Sequence, residues 1–212
     1  MRLPLALLAL VIAAPSLAQD AAEPAEPAAY PARAVLAAFA TACSGVENFA
    51  VANASAAAAG WEEYEPAETE ALGQLIAVGQ KMLSEIEDQD VQHVVIAYRR
   101  EVAGRQLYLA INQTTADDFT SHGCRVYDFD ATATMTLETL EEWAVRTPVD
   151  DSDPGVPGSV SYIWNPGLKP GHIEMAYQFA PKGALNDTDF SDVPISGHIL
   201  TAQAIKIADT NF

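Results

Sequence analysis

Basic residues are scarce in this chain. It carries 11 Lys and Arg against 29 Asp and Glu, a formal net charge of -18. A field of that sign repels nucleic acid and anionic lipid surfaces, so neither is an expected partner. Cysteine is scarcer still. The only two, Cys43 and Cys124, lie far apart, and neither belongs to a Cys-x-x-Cys pair, which excludes the common redox and zinc-ligand spacings. Short catalytic signatures are also missing: there is no Gly-x-Ser-x-Gly elbow, no Gly-Lys-Ser/Thr phosphate loop, no His-Glu-x-x-His helix and no dinucleotide glycine fingerprint. The reaction classes that such motifs announce are removed, and no cofactor is implied. No self-similar period of the kind that marks repeat proteins is present.

The one long apolar run lies at the start. Met1–Ala18 has a single base, Arg2, then an apolar run from Leu3 to Ala14, then Ser16-Leu17-Ala18. The run is too short to span a bilayer and ends in the small residues that a signal peptidase reads, so residues 1–18 are expected to be a secretory signal peptide. No cysteine stands at the cleavage point to take a lipid anchor, and no later stretch is long and apolar enough to span a membrane. The expected location is the periplasm or the extracellular space, with no membrane insertion after cleavage. Residues 19–29 consist mostly of Ala, Glu and Pro; their prolines and lack of large apolar groups predict an extended linker. Residues 30–212 suffice for a single domain with its own core.

Export decides how the two cysteines are read. In an oxidising compartment, two lone cysteines some eighty residues apart point to a structural disulfide, Cys43 to Cys124. Closing a loop of that length contributes about 4 kcal/mol through the unfolded state. A thiol already paired cannot act as a nucleophile, although His122 lies two positions from Cys124.

Periodicity gives the elements. Leu36, Phe39, Ala40 and Cys43 fall at helical spacing after Pro31, and a second, alanine-rich helix is expected from Glu47 to Ala59, stopped by Gly60-Trp61. A third helix begins between Pro66 and Glu70, with Leu72, Leu75, Ile76, Gly79, Met82, Leu83 and Ile86 as its apolar stripe. The period then changes. Val91–Val102 and Gln106–Thr114 read as a hairpin about Ala103-Gly104, and the stretch Gly123–Asp130 as a third strand that points Cys124 and Val126 to one face and Arg125, Tyr127 and Phe129 to the other. A helix over Leu137–Val145 follows, then strands at Ser159–Trp164, His172–Ala180 and His198–Ile207. The expectation is an α+β fold: about three N-terminal helices and a mainly antiparallel sheet of about six strands with one inserted helix, the helices packed on one sheet face. Whether the two three-strand groups make one sheet or two stays open, because handedness does not constrain antiparallel connections.

Three constellations carry chemistry. Arg99, Arg100, Arg105 and Arg125 lie around the first strands and are candidates for gripping a carboxylate or phosphate, with Tyr108 or Tyr127 nearby; the competing reading is that they balance neighbouring acids such as Glu101, Asp128 and Asp130. His172 and Glu174 share a face of one strand and His198 meets them from a neighbour, which gives a two-His, one-carboxylate metal set, or else a polar outer face with scattered histidines. Asp187, Asp189 and Asp192 form the better of two acidic loops for a cation, the other being Asp150-Asp151-Ser152-Asp153; both also suit solvated turns.

The order of a leader, Phe39-x-x-x-Cys43, Gly60-Trp61 after an alanine-rich helix, and Cys124 in a strand loosely resembles small exported alphaproteobacterial proteins of unknown function. The resemblance covers about half the chain and implies a disulfide and an exported location, with no catalytic residue carried over. The reading is an exported, non-enzymatic binding or accessory protein of the cell envelope, with an unidentified protein or small molecule as partner. The alternatives are a small secreted hydrolase, in which His93, His122 or His172 meets a carboxylate in a cleft, and an extracytoplasmic cation-binding module.

Overall fold

A computed structural model describes residues 29–85, 91–151, 154–184 and 195–207. The expected signal peptide, nearly all of the linker, Ile86 of the helical stripe, and the acidic loop with Asp187, Asp189 and Asp192 lie outside the described residues, as do Ser152 and Asp153 of the second loop.

The fold is α+β, dominated by one antiparallel sheet. Its helices are α1 (Ala32–Cys43), α2 (Phe49–Ala58), α3 (Ala71–Ser84) and α4 (Leu137–Ala144). Its strands are β1 (Glu62–Glu63), β2 (Gln92–Val102), β3 (Arg105–Thr115), β4 (Phe119–Asp128), β5 (Val160–Trp164), β6 (Glu174–Ala180) and β7 (Gly197–Ile207), in the order β1-β2-β3-β4-β7-β6-β5. The two strand groups therefore join, because β7 lies between β4 and β6. Seven strands stand where about six were expected. The extra one, β1, is two acidic residues with no alternation of their own, and it exists as a strand only because β2 supplies a partner.

Local chemistry explains the ends of several elements. Asn48 accepts the N–H of Val51 and Thr136 that of Thr139, so α2 and α4 each start on a side-chain cap. The β2–β3 hairpin turns through Ala103 and Gly104, both with positive φ, which suits the twist of the strands it joins.

Alternation along the strands sorts two cores. On one face, Leu107, Leu109 and Ile111 of β3, Cys124 and Val126 of β4, Met175, Tyr177 and Phe179 of β6, and Leu200 and Ala202 of β7 pack under α1, α2 and α4. The disulfide Cys43–Cys124, with Cα atoms 5.5 Å apart, joins the end of α1 to this face, and both cysteines are fully buried. On the other face, Leu72, Leu75 and Ile76 of α3 meet Ala97, Ala110 and Tyr127. The expectation that all helices share one face is thus corrected: β2, β3 and β4 carry a second apolar row, and α3 covers it.

Candidate functional site

The four arginines do not converge. Arg99 is exposed and pairs with Glu62 at 3.3 Å while stacking 5.2 Å from the Tyr64 ring. Arg100 is half-buried next in line on β2, opposite Leu107. Arg105 makes a forked pair with Asp128, at 2.8 and 2.7 Å, on the disulfide face. Arg125 lies on the α3 face, where its Nη1 donates to Asn112 Oδ1 at 3.1 Å. Among the described residues no carboxylate neutralises Arg125.

The place of Arg125 is set by register. Ala110 lies opposite it on β3 and Thr201 opposite it on β7, while Asn112 lies opposite Gly123. A Cβ on Gly123 would collide with Asn112 Oδ1 and press on Arg125 Nη1, so the glycine is what lets the amide and the guanidinium lie over the strand. Beside them is a recess of about 130 Å³, whose lining includes Leu72, Ile76, His93, Asn112, Arg125 and Tyr127. His93 Nδ1 is 2.9 Å from Thr114 Oγ1; burial and then the Arg125 charge hold its ring below the ordinary histidine range. The site therefore offers one guanidinium, a neutral imidazole and an amide above an apolar floor, an arrangement suited to a small oxyanion.

The expected metal set is not assembled. His172 precedes β6 instead of sharing a strand face with Glu174, and the register places Glu174 against Gln203 but Phe179 against His198. Five residues of strand separate those pairs, roughly 17 Å. No group of three or more His, Cys, Asp or Glu able to hold a metal occurs among the described residues.

The histidines instead enter separate networks that sequence patterns do not announce. His172 Nε2 lies 3.1 Å from Glu47 Oε2, and Lys169 donates to Glu47 Oε1 at 2.7 Å. Burial pushes the Glu47 carboxyl up, but the hydrogen bonds from Lys169, its own backbone and His172 outweigh it and bring it down to about 2. His122 is buried and bonds Gln113 at 3.3 Å. At the other end of the sheet, Tyr30 donates to Asp128 at 2.9 Å beside the Arg105 fork. His198 Nδ1 bonds the Tyr177 hydroxyl at 2.8 Å, and that hydroxyl also accepts the Met135 N–H at 2.7 Å. Burial, with Arg105 adding to it against the pull of Asp128, takes the His198 ring down to about 4. The one sequence signal for this network was Tyr30 itself, a lone aromatic closing a stretch without large apolar residues.

No protein-family model, curated protein or solved structure matches this chain.

Proposed function

We propose that this is an exported binding protein of the cell envelope that catalyses no reaction and takes a small oxyanion, a carboxylate or phosphate, at Arg125. The observation that carries the reading is a guanidinium whose one partner among the described residues is an amide, in a chain that has acids to spare, held by Asn112 and a required glycine beside a recess. The leader-like start and the buried disulfide support export. The test is thermal unfolding of the purified protein with phosphate or acetate. The midpoint rises with ligand concentration in the parent and stays fixed in Arg125→Gln.

A hydrolase is the second reading, favoured by the contact between His172 and Glu47. Against it, the His172 side chain is fully buried and its Nδ1 has no accessible surface, so the ring cannot reach a substrate proton. The pair instead ties the turn before β6 to the link between α1 and α2. Hydrolysis of an ester substrate that disappears in His172→Gln would reinstate the enzyme.

A further inference from the structure

The edge of the sheet at β2 is only partly covered, and the sequence explains why. β1 covers only the middle of β2, pairing Glu62 with Arg99 and Glu63 with Tyr98, and the Tyr64 N–H then donates to the Ala97 carbonyl at 3.0 Å. Two residues later comes Pro66, which has no N–H and steers the chain away towards α3. Successive residues of a strand direct their backbone groups to opposite sides, so His93 and Val95 point the same way as Ala97. Among the described residues nothing bonds their outward N–H and C=O groups.

Such an edge is normally blunted by a charge, a proline or a bulge. Val91–Ala97 has none: it reads Val-Gln-His-Val-Val-Ile-Ala, and Val94 is 51% exposed. The edge also opens onto a groove of about 600 Å³ between β2 and α3, whose lining includes Glu63, Glu65, Glu68, Ile76, Gln80 and Val95. These three glutamates are exposed, and among the described residues none has a basic partner.

We infer that the free edge of β2 is a docking site for an extended, basic segment of another protein, which adds as a strand and places its Lys or Arg side chains against Glu63, Glu65 and Glu68. Main-chain hydrogen bonds to His93 and Val95 supply the pairing, and the acidic rim selects the charge. The chain has no suitable segment of its own. Residues 19–29, 91–97 and 208–212 contain neither Lys nor Arg, and two copies at -18 each repel. The inference does not depend on Arg125, which lies on β4.

The test uses the purified protein and short labelled peptides of alternating Lys and Val, read by fluorescence anisotropy. A second peptide has the same sequence with alternate backbone nitrogens methylated, and a third replaces Lys by Glu. The expected result is binding of the first peptide only, weakened by salt and by about threefold for each of Glu65→Gln and Glu68→Gln. Val95→Pro, which removes an outward N–H, abolishes it; the methylated peptide asks the same question without altering the protein's fold. Equal binding of the methylated peptide would reduce the effect to charge alone and overturn the proposal. So would no binding up to about 1 mM, or sedimentation showing a dimer that the peptide does not dissociate, which would make a second copy the occupant.

Discussion

Asp128 and His198 face each other across the β4–β7 ladder, each 1% exposed, and yet they bond to different partners. The carboxylate takes the Arg105 fork and the Tyr30 hydroxyl, whereas the imidazole takes Tyr177. The Tyr30 ring closes over both, with its centroid 4.6 Å from that of His198 and 5.6 Å from the Arg105 guanidinium carbon. The start of the described chain is thereby fastened to the far end of the sheet, and a histidine is kept neutral beside an ion pair.

Stability should fall as pH drops from about 6.5 towards about 4. The unfolded His198 ring takes a proton near 6.5 and the folded one only near 4, so in that window the unfolded state holds more protons and acid favours it. The full effect is about 3 kcal/mol, reached below the folded value. His93 and His122, also held low by burial, act in the same direction. Glu47 extends the loss between about 4.5 and 2, weakly, because its side chain is 40% exposed. Urea unfolding across this range measures the slope, and His198→Phe should flatten it between pH 6.5 and 4.

Tyr30→Phe should cost about 1 kcal/mol, one hydrogen bond to a carboxylate that keeps its guanidinium. Asp128→Ala should cost about 3 kcal/mol, because it strands Arg105 and the Tyr30 hydroxyl together. Equilibrium denaturation of both variants checks the ranking; equal losses would mean that Tyr30, not the ion pair, holds this corner.

Reducing the disulfide, or replacing Cys43 and Cys124 by Ser, should remove about 4 kcal/mol, since the bond closes a loop with a sequence separation of 81. The denaturation midpoint in the presence and absence of reductant reads this directly. An unchanged midpoint would show that packing alone sets the α1–β4 contact.

Two glycines with nearly equal φ should respond differently to alanine. Gly197, at φ 78°, starts β7 with the Asp128 carbonyl where a Cβ would stand, whereas Gly104, at φ 80°, has open space around it. Gly104→Ala should cost about 1 kcal/mol, the left-handed penalty alone. Gly197→Ala should cost more than about 2 kcal/mol, because the β4–β7 ladder must also shift. Thermal midpoints of the two variants separate strain from collision.

Gly123→Ala should displace Asn112 and Arg125 without unfolding the strand, since the obstructed atoms are side-chain ends. Oxyanion affinity is expected to drop about tenfold while the stability of the unliganded protein changes by only about 1 kcal/mol. Titration calorimetry with phosphate measures the first and denaturation the second.

By itself the sequence determined what is local. The β2–β3–β4 meander, the stripe of α1, the Leu72, Leu75 and Ile76 part of the α3 stripe, and the alternation of Cys124 and Val126 with Arg125 and Tyr127 follow from side-chain periods of two or 3.6, and the Thr136 cap from the residue type itself. Met82, expected in the α3 stripe, is instead 61% exposed, because the sheet face below ends before the last turn of the helix is reached. The cysteine pairing was legible because there was only one way to make it. Tertiary structure decided what depends on register between distant residues. Arg99 and Arg105 are six positions apart, yet the two-residue turn between them sends Arg99 to the α3 face and Arg105 to the disulfide face. That inversion, and the entry of β7 beside β4, broke up the arginine cluster, separated His198 from Glu174, set His198 opposite Asp128 and left Arg125 bonded to Asn112 above Gly123. Strand order is chosen by which apolar rows fit together over the whole sheet, and no window of sequence contains that information.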